Sequence, residues 1–158
     1  VPVQTEPTFS FPEEGVLLMS HVMTRHVRCV LDSTTIEDAA GLMNSQHIRG
    51  LPVVDYLSDH LVGLITLSDI VAHVFDHQVI SSFHGEGILL QQDSLAILDK
   101  PVREFMTTKV LTVPPHCSVK EACQIMEKNH IHRLVVTENH KVVGIFTSFD
   151  AMRVLARK

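Results

Sequence analysis

The chain has 158 residues, 45% of them hydrophobic and 20% charged, a balance that supports a packed core and excludes general disorder. Its formal charge of −5, with no Lys/Arg run longer than two, excludes a broad basic face for an extended nucleic acid. No apolar run reaches the roughly 18 residues that insert in a membrane, and three cysteines outside any CxxC spacing fit a cytoplasmic, reducing setting.

Residues 1–15 read as a polar N-terminal extension carrying Pro2, Pro7 and Pro12; with no initial Met, the chain reads as cut from a longer protein. A first unit, 16–78, opens with a β-branched strand at 27–30. A helix follows, started by Thr35 and Asp38 at capping-box spacing, with Ile36, Ala39, Ala40 and Met43 as its apolar stripe. Strands at 51–55 and 61–66 flank a polar turn, and Pro52, lacking an N–H, belongs at a strand beginning. A second helix starts near Ser68, with Asp69 in its first turn, where a carboxylate suits the positive helix end.

Residues 79–100 break the pattern and read as a partly ordered connector or short helix, stopped by Pro101. The second unit, 101–158, then repeats the order. It has a strand at 110–113, a helix started by Ser118 and Glu121 with Val119, Ala122, Cys123 and Met126 on its stripe, strands at 134–137 and 141–147, and a helix near Phe149 with Asp150 in its first turn.

The repetition extends to residue identities. An offset of 83 pairs Val22-Met23-Thr24 with Phe105-Met106-Thr107, Met43 with Met126, and His47-Ile48 with His130-Ile131. After a turn of different length the offset is 81, pairing Gly63 with Gly144, Thr66 with Thr147 and Asp69 with Asp150. This is a duplicated β-α-β-β-α unit of the α/β (α+β) class. One copy is too small to be more than marginal alone, so the two should pack into one compact pseudo-two-fold module.

The segments Gly63-Leu64-Ile65-Thr66-Leu67-Ser68-Asp69 and Gly144-Ile145-Phe146-Thr147-Ser148-Phe149-Asp150, each after a Leu-Pro-Val-Val or Leu-Val-Val strand, resemble a tandem pair of CBS (cystathionine β-synthase) domains. The resemblance covers about residues 16–158. It implies a Bateman module, a homodimer of such modules, and clefts between repeats that bind AMP, ADP, ATP or a related ligand to regulate an attached or separate effector domain, with no cofactor required. The His132-Arg133-Leu134 segment resembles a nucleotide-contacting segment in the γ regulatory subunits of AMP-activated kinases, which implies that His132 and Arg133 reach phosphates near Thr147 and Asp150.

The residue chemistry is compatible. Asp69 and Asp150 can accept from both ribose hydroxyls, and Thr66 and Thr147 can donate to a phosphate that also meets free helix N–H groups. The plainer role for both pairs is helix capping. In the first copy Arg49 and Gly50 replace His132 and Arg133, so the second site should hold a phosphorylated ligand more tightly. Phe149 either stacks on a base or, the plainer expectation, packs in the core.

The eleven histidines give no metal spacing, His73 and His77 lacking an HExxH partner. Cys117 lies beside a helix start and Cys123 on an apolar stripe. With no GxSxG, GxGxxG or P-loop, the chain does not read as an enzyme. The alternative to ligand sensing is a purely structural interaction module.

Overall fold

The structure, a computed structural model, describes residues 9–12, 15–79 and 96–157. In chain order the elements are α1 (Met19–Val22), β1 (Val30–Leu31), α2 (Ile36–Ser45), β2 (Gly50–Val54), β3 (Leu61–Thr66), α3 (Leu67–Val79), a 3₁₀ turn at Val102–Glu104, β4 (Thr112–Val113), α4 (Val119–Lys128), β5 (Arg133–Glu138), β6 (Lys141–Thr147) and α5 (Ser148–Ala156). They form two compact units. Cys29–Lys109 makes an inner unit, and Val1–Arg28 together with Val110–Lys158 makes an outer one.

Each unit has a three-stranded sheet, ordered β1-β2-β3 or β4-β5-β6, with the first pair parallel and the second antiparallel. Both antiparallel pairs slip register at equivalent points, after Val53 and after Val136. In the inner unit Leu51, Val53 and Ile65 meet Ile36, Ala39 and Met43 of α2 in the core; in the outer unit Leu134, Val136 and Phe146 meet Ala122 and Met126 of α4. The helical stripes read from the sequence are these buried faces.

The helices start as their sequences dictate. Thr35 Oγ1 accepts from the Asp38 N–H at 3.2 Å, and Ser118 Oγ from the Glu121 N–H at 3.1 Å. The reciprocal half of a capping box is not among the described bonds; Glu121 accepts instead from the Cys117 thiol at 3.5 Å. Two further orphan donors of α2, the N–H groups of Ile36 and Glu37, are taken by the carbonyls of Lys100 and Leu98. The Val119 N–H of α4 is taken by the Leu17 carbonyl.

Helices α2 and α4 also end alike. His47 and His130 adopt left-handed φ of 55° and 52°, donating to Asn44 and Glu127, while the next N–H groups, of Ile48 and Ile131, reach back to Met43 and Met126. These are Schellman caps with histidine in the place glycine usually takes.

The structure corrects two expectations. Pro52 lies inside β2, the central strand, and not at its beginning. Its partner Leu64 turns both backbone groups away from β2, to Thr107, so Pro52 faces a non-hydrogen-bonded pair and no ladder donor is lost there. The first strand of each repeat is only two residues: Val30–Leu31 overlaps the expected 27–30 at Val30 alone, and Thr112–Val113 is the second half of the expected 110–113. In the first repeat the reason is that Val27 and Arg28 still belong to the outer unit.

That crossing has a counterpart. The opening segment of the first repeat docks on the outer unit: Met19, Val22 and Met23 enter its core, and Thr24 exchanges two backbone bonds with Ile145 at 2.9 and 3.0 Å. The opening of the second repeat docks on the inner unit, with Val102 in its core and Thr107 exchanging two bonds with Leu64, both 2.9 Å. A Cβ on Gly144 would collide with the Met23 side chain, and one on Gly63 with that of Met106, so an added methyl at either place would force the crossing methionine to shift. Of the connector, 80–95 lies outside the described residues, while 96–100 form a turn that buries Ile97.

Candidate functional site

In the outer unit the strand register sets Arg133, first residue of β5, directly opposite Thr147, last residue of β6. The chain then turns into α5, and the Ser148 N–H donates to the His132 carbonyl at 2.9 Å, which fixes the His132-Arg133 backbone against the helix start. Thr147 and Asp150 form a reciprocal box. Asp150 Oδ2 accepts from the Thr147 N–H and hydroxyl, both at 2.8 Å, and the Asp150 N–H donates back to Thr147 Oγ1 at 3.3 Å. Asp150 is only 5% exposed, so this carboxylate is desolvated and held by charge-assisted bonds. Thr147 and Arg133 are half-buried and His132 is exposed.

The inner unit repeats this geometry with Arg49 and Gly50 in the places of His132 and Arg133. Gly50 lies opposite Thr66 where the outer unit has Arg133 opposite Thr147. The Leu67 N–H donates to the Arg49 carbonyl at 3.0 Å; Asp69 Oδ2 accepts from the Thr66 N–H at 2.8 Å and hydroxyl at 2.7 Å, and the Asp69 N–H returns to Thr66 Oγ1 at 3.2 Å. Arg49 is exposed.

The structure therefore brings Thr147, Asp150, His132 and Arg133 together in one unit and Thr66, Asp69 and Arg49 in the other. The capping role of both Thr-Asp pairs is fully realised, yet among the described residues it employs Oδ2, leaving Oδ1 of each carboxylate as an acceptor beside a helix N-terminus. Hydroxyl donors can bind such an oxygen, and an anion can meet the positive helix end. Sequence reading overlooked the backbone carbonyls of Arg49 and His132, whose bonds to the helix starts make the site rigid; the turn from strand into helix within two residues was the available signal.

Phe149 corrects the core-packing expectation. It is 56% exposed, with the Arg153 guanidinium 4.7 Å from its ring centroid. Burial and the charge of Glu121 push the Cys117 thiol up to about 11, and burial with the charge of Asp59 does the same to Cys29, which keeps both unreactive as nucleophiles at neutral pH. Among the described residues no group of three His, Cys, Asp or Glu side chains could hold a metal, and no helix is long and apolar enough to cross a membrane. The side chain of His77 lies outside the described residues.

A repeated β-α-β-β-α unit whose last strand ends in Thr and whose last helix carries Asp in its first turn defines a class. The chain belongs to the CBS domain family, whose model matches residues 19–76 and 102–157. An uncharacterized Methanocaldococcus jannaschii protein, MJ1232, is 30% identical over 135 residues, covering 85% of this chain but 38% of its own length. A second protein of that organism, MJ1225, is covered over 50% of its length, so the chain spans half or less of these relatives. Among solved structures, CBSX2 in complex with AMP superimposes with a TM-score of 0.70 at 25% identity, covering 89% of this chain and 97% of that one. The CBS domain pair of MJ0100, in complex with 5′-methylthioadenosine and S-adenosyl-L-methionine, gives 0.70 at 26%, covering 90% and 98%.

Proposed function

We propose that this CBS pair is a non-catalytic regulatory module that takes up adenosine-type ligands, AMP, ADP or ATP among them, at the starts of α3 and α5. One observation carries the reading: in both units a Thr-Asp box sits at a strand-to-helix turn with Oδ1 unused among the described residues, and in the outer unit Arg133 stands opposite the threonine. Asp69 and Asp150 accept from ribose, Thr66 and Thr147 meet phosphate, and Arg49, His132 and Arg133 supply positive charge. The AMP and S-adenosyl-L-methionine complexes of similar chains favour the same ligand class.

Titration with AMP, ADP, ATP and S-adenosyl-L-methionine, followed by calorimetry and melting temperature, tests it. A ligand at 100 times its dissociation constant should add about 2.7 kcal/mol of apparent stability. Absence of binding below about millimolar concentration would leave the structural interaction module as the better reading.

Self-association belongs to the same proposal. Phe149, Met152 and Leu155 are 56%, 57% and 75% exposed at three-residue spacing along α5, and Leu67 and Val71 are exposed on α3. Such apolar faces favour a two-fold homodimer, which can regulate an attached or separate effector domain. Sedimentation should give twice the 17.7 kDa chain mass; a single-chain mass at micromolar concentration would count against the dimer.

A further inference from the structure

We propose that residues 19–28, although they open the first repeat, act as a strap on the second-repeat site: when the strap leaves β6, the Thr147–Asp150 box loosens and ligand held there is lost. The regulatory consequence rests on the ligand reading above; the strap itself does not.

The argument begins at an edge. β6 is an outer strand of its sheet, paired with β5 on one side only, and its other side is satisfied by Thr24 at Ile145. Ile145 is two residues before Thr147, on the same strand. The strap is further held by Met19 and Ser20, whose N–H groups donate to the carbonyls of Cys117 and Pro115 at 2.8 and 2.9 Å, and by Met23, which crosses Gly144. Removing it would unpair the strand edge next to the site and open a void beside Phe146 and Leu134, which share its core. The first-repeat site has a different strap: Thr107 pairs with Leu64, two residues before Thr66, and Met106 crosses Gly63. The strap of each site therefore comes from the other repeat, and residue 28 leads directly into the inner unit, so the second-repeat site has a covalent route to a distant part of the chain.

Amide hydrogen exchange on the full chain tests this without ligand. Gly144→Ala should lower protection at Thr24 and Ile145 by about tenfold or more, and with it at Thr147 and Asp150, leaving Leu64 and Thr107 unchanged. Gly63→Ala should give the converse pattern. Adding Met23→Ala to Gly144→Ala should cost less than the two changes separately, because truncating the methionine makes room for the new Cβ. Should Gly144→Ala not fold, Met23→Ala alone must give the outer-unit pattern.

Unchanged protection at Thr24, a loss there that spares Thr147 and Asp150, or equal losses in both units would overturn the strap. In the wild type, AMP should slow exchange at Thr24, and Gly144→Ala should weaken AMP at the second-repeat site by about tenfold while sparing the first. If wild type binds none of AMP, ADP, ATP and S-adenosyl-L-methionine, the ligand reading fails while the exchange pattern still decides the strap.

Discussion

Arg133 and Gly50 hold the same place in the two units, opposite Thr147 and Thr66, and this difference, with Arg49 in the place of His132, should make the proposed sites unequal. A hydrogen bond to a charged group is worth about 1.5–3 kcal/mol, roughly ten- to a hundredfold in affinity. Arg133→Ala should therefore weaken AMP at the outer-unit site by that factor while changing adenosine little; equal losses for both ligands would remove the phosphate role. At Cys117 the direction of a pH effect follows from the thiol's surroundings. The fold raises it from 9.0 to about 11, so the native state holds the proton more tightly than the unfolded chain. The stabilisation is complete below pH 9 and disappears as pH rises through about 11. The melting-temperature gap between wild type and Cys117→Ala should narrow over that interval, and a constant gap would contradict the assignment. At this scale the Thr and Asp positions were legible because their chemistry is local. The exposure of Phe149 was not, because an aromatic in a first helical turn reads the same whether it faces the core or solvent.

Helices α2 and α4 show how far local pattern carries. Their stripes and N-caps could be read from the sequence, and the pairing of His47-Ile48 with His130-Ile131 was visible, but its cause, a left-handed residue after each helix, needed backbone angles. Pro52 misled for a related reason. Whether a strand residue donates to its ladder depends on pairing phase, which shows here in the bonds of Leu64 to Thr107, away from β2. One position within α2 is open to improvement: a Cβ added at Gly41 would meet nothing within 4 Å beyond its own helix. Gly41→Ala should stabilise by about 0.5–1 kcal/mol through the unfolded chain, raising the melting temperature by a few degrees. A fall on thermal melting would mean that the methyl meets a neighbour.

Across the whole chain, the duplication and the family were readable because an offset of 83 survives any change in packing. The crossing of the opening segments was hidden for the same reason: the offset is identical whichever sheet each segment joins. Tertiary pairings such as Thr24 with Ile145 and Thr107 with Leu64 distinguish the two arrangements. The extent of the candidate sites was likewise only half visible, since side chains could be named from motifs whereas the carbonyls of Arg49 and His132 enter through tertiary geometry.

The crossing also determines how the chain would answer to mechanical force. Phe9 and Arg157, the first and last described residues, belong to the outer unit, where the Arg157 guanidinium lies 4.5 Å from the centroid of the Phe9 ring, while the inner unit is one stretch of sequence between them. Tension applied at Phe9 and Arg157 should therefore load the outer unit first and pass along the chain to Cys29–Lys109 once Thr24 has been pulled from Ile145. In an optical trap the chain should extend in two steps, the outer unit yielding before the inner. Moving one attachment point to Tyr56, at the exposed β2–β3 turn, should bring tension onto the inner unit from the outset and erase that order.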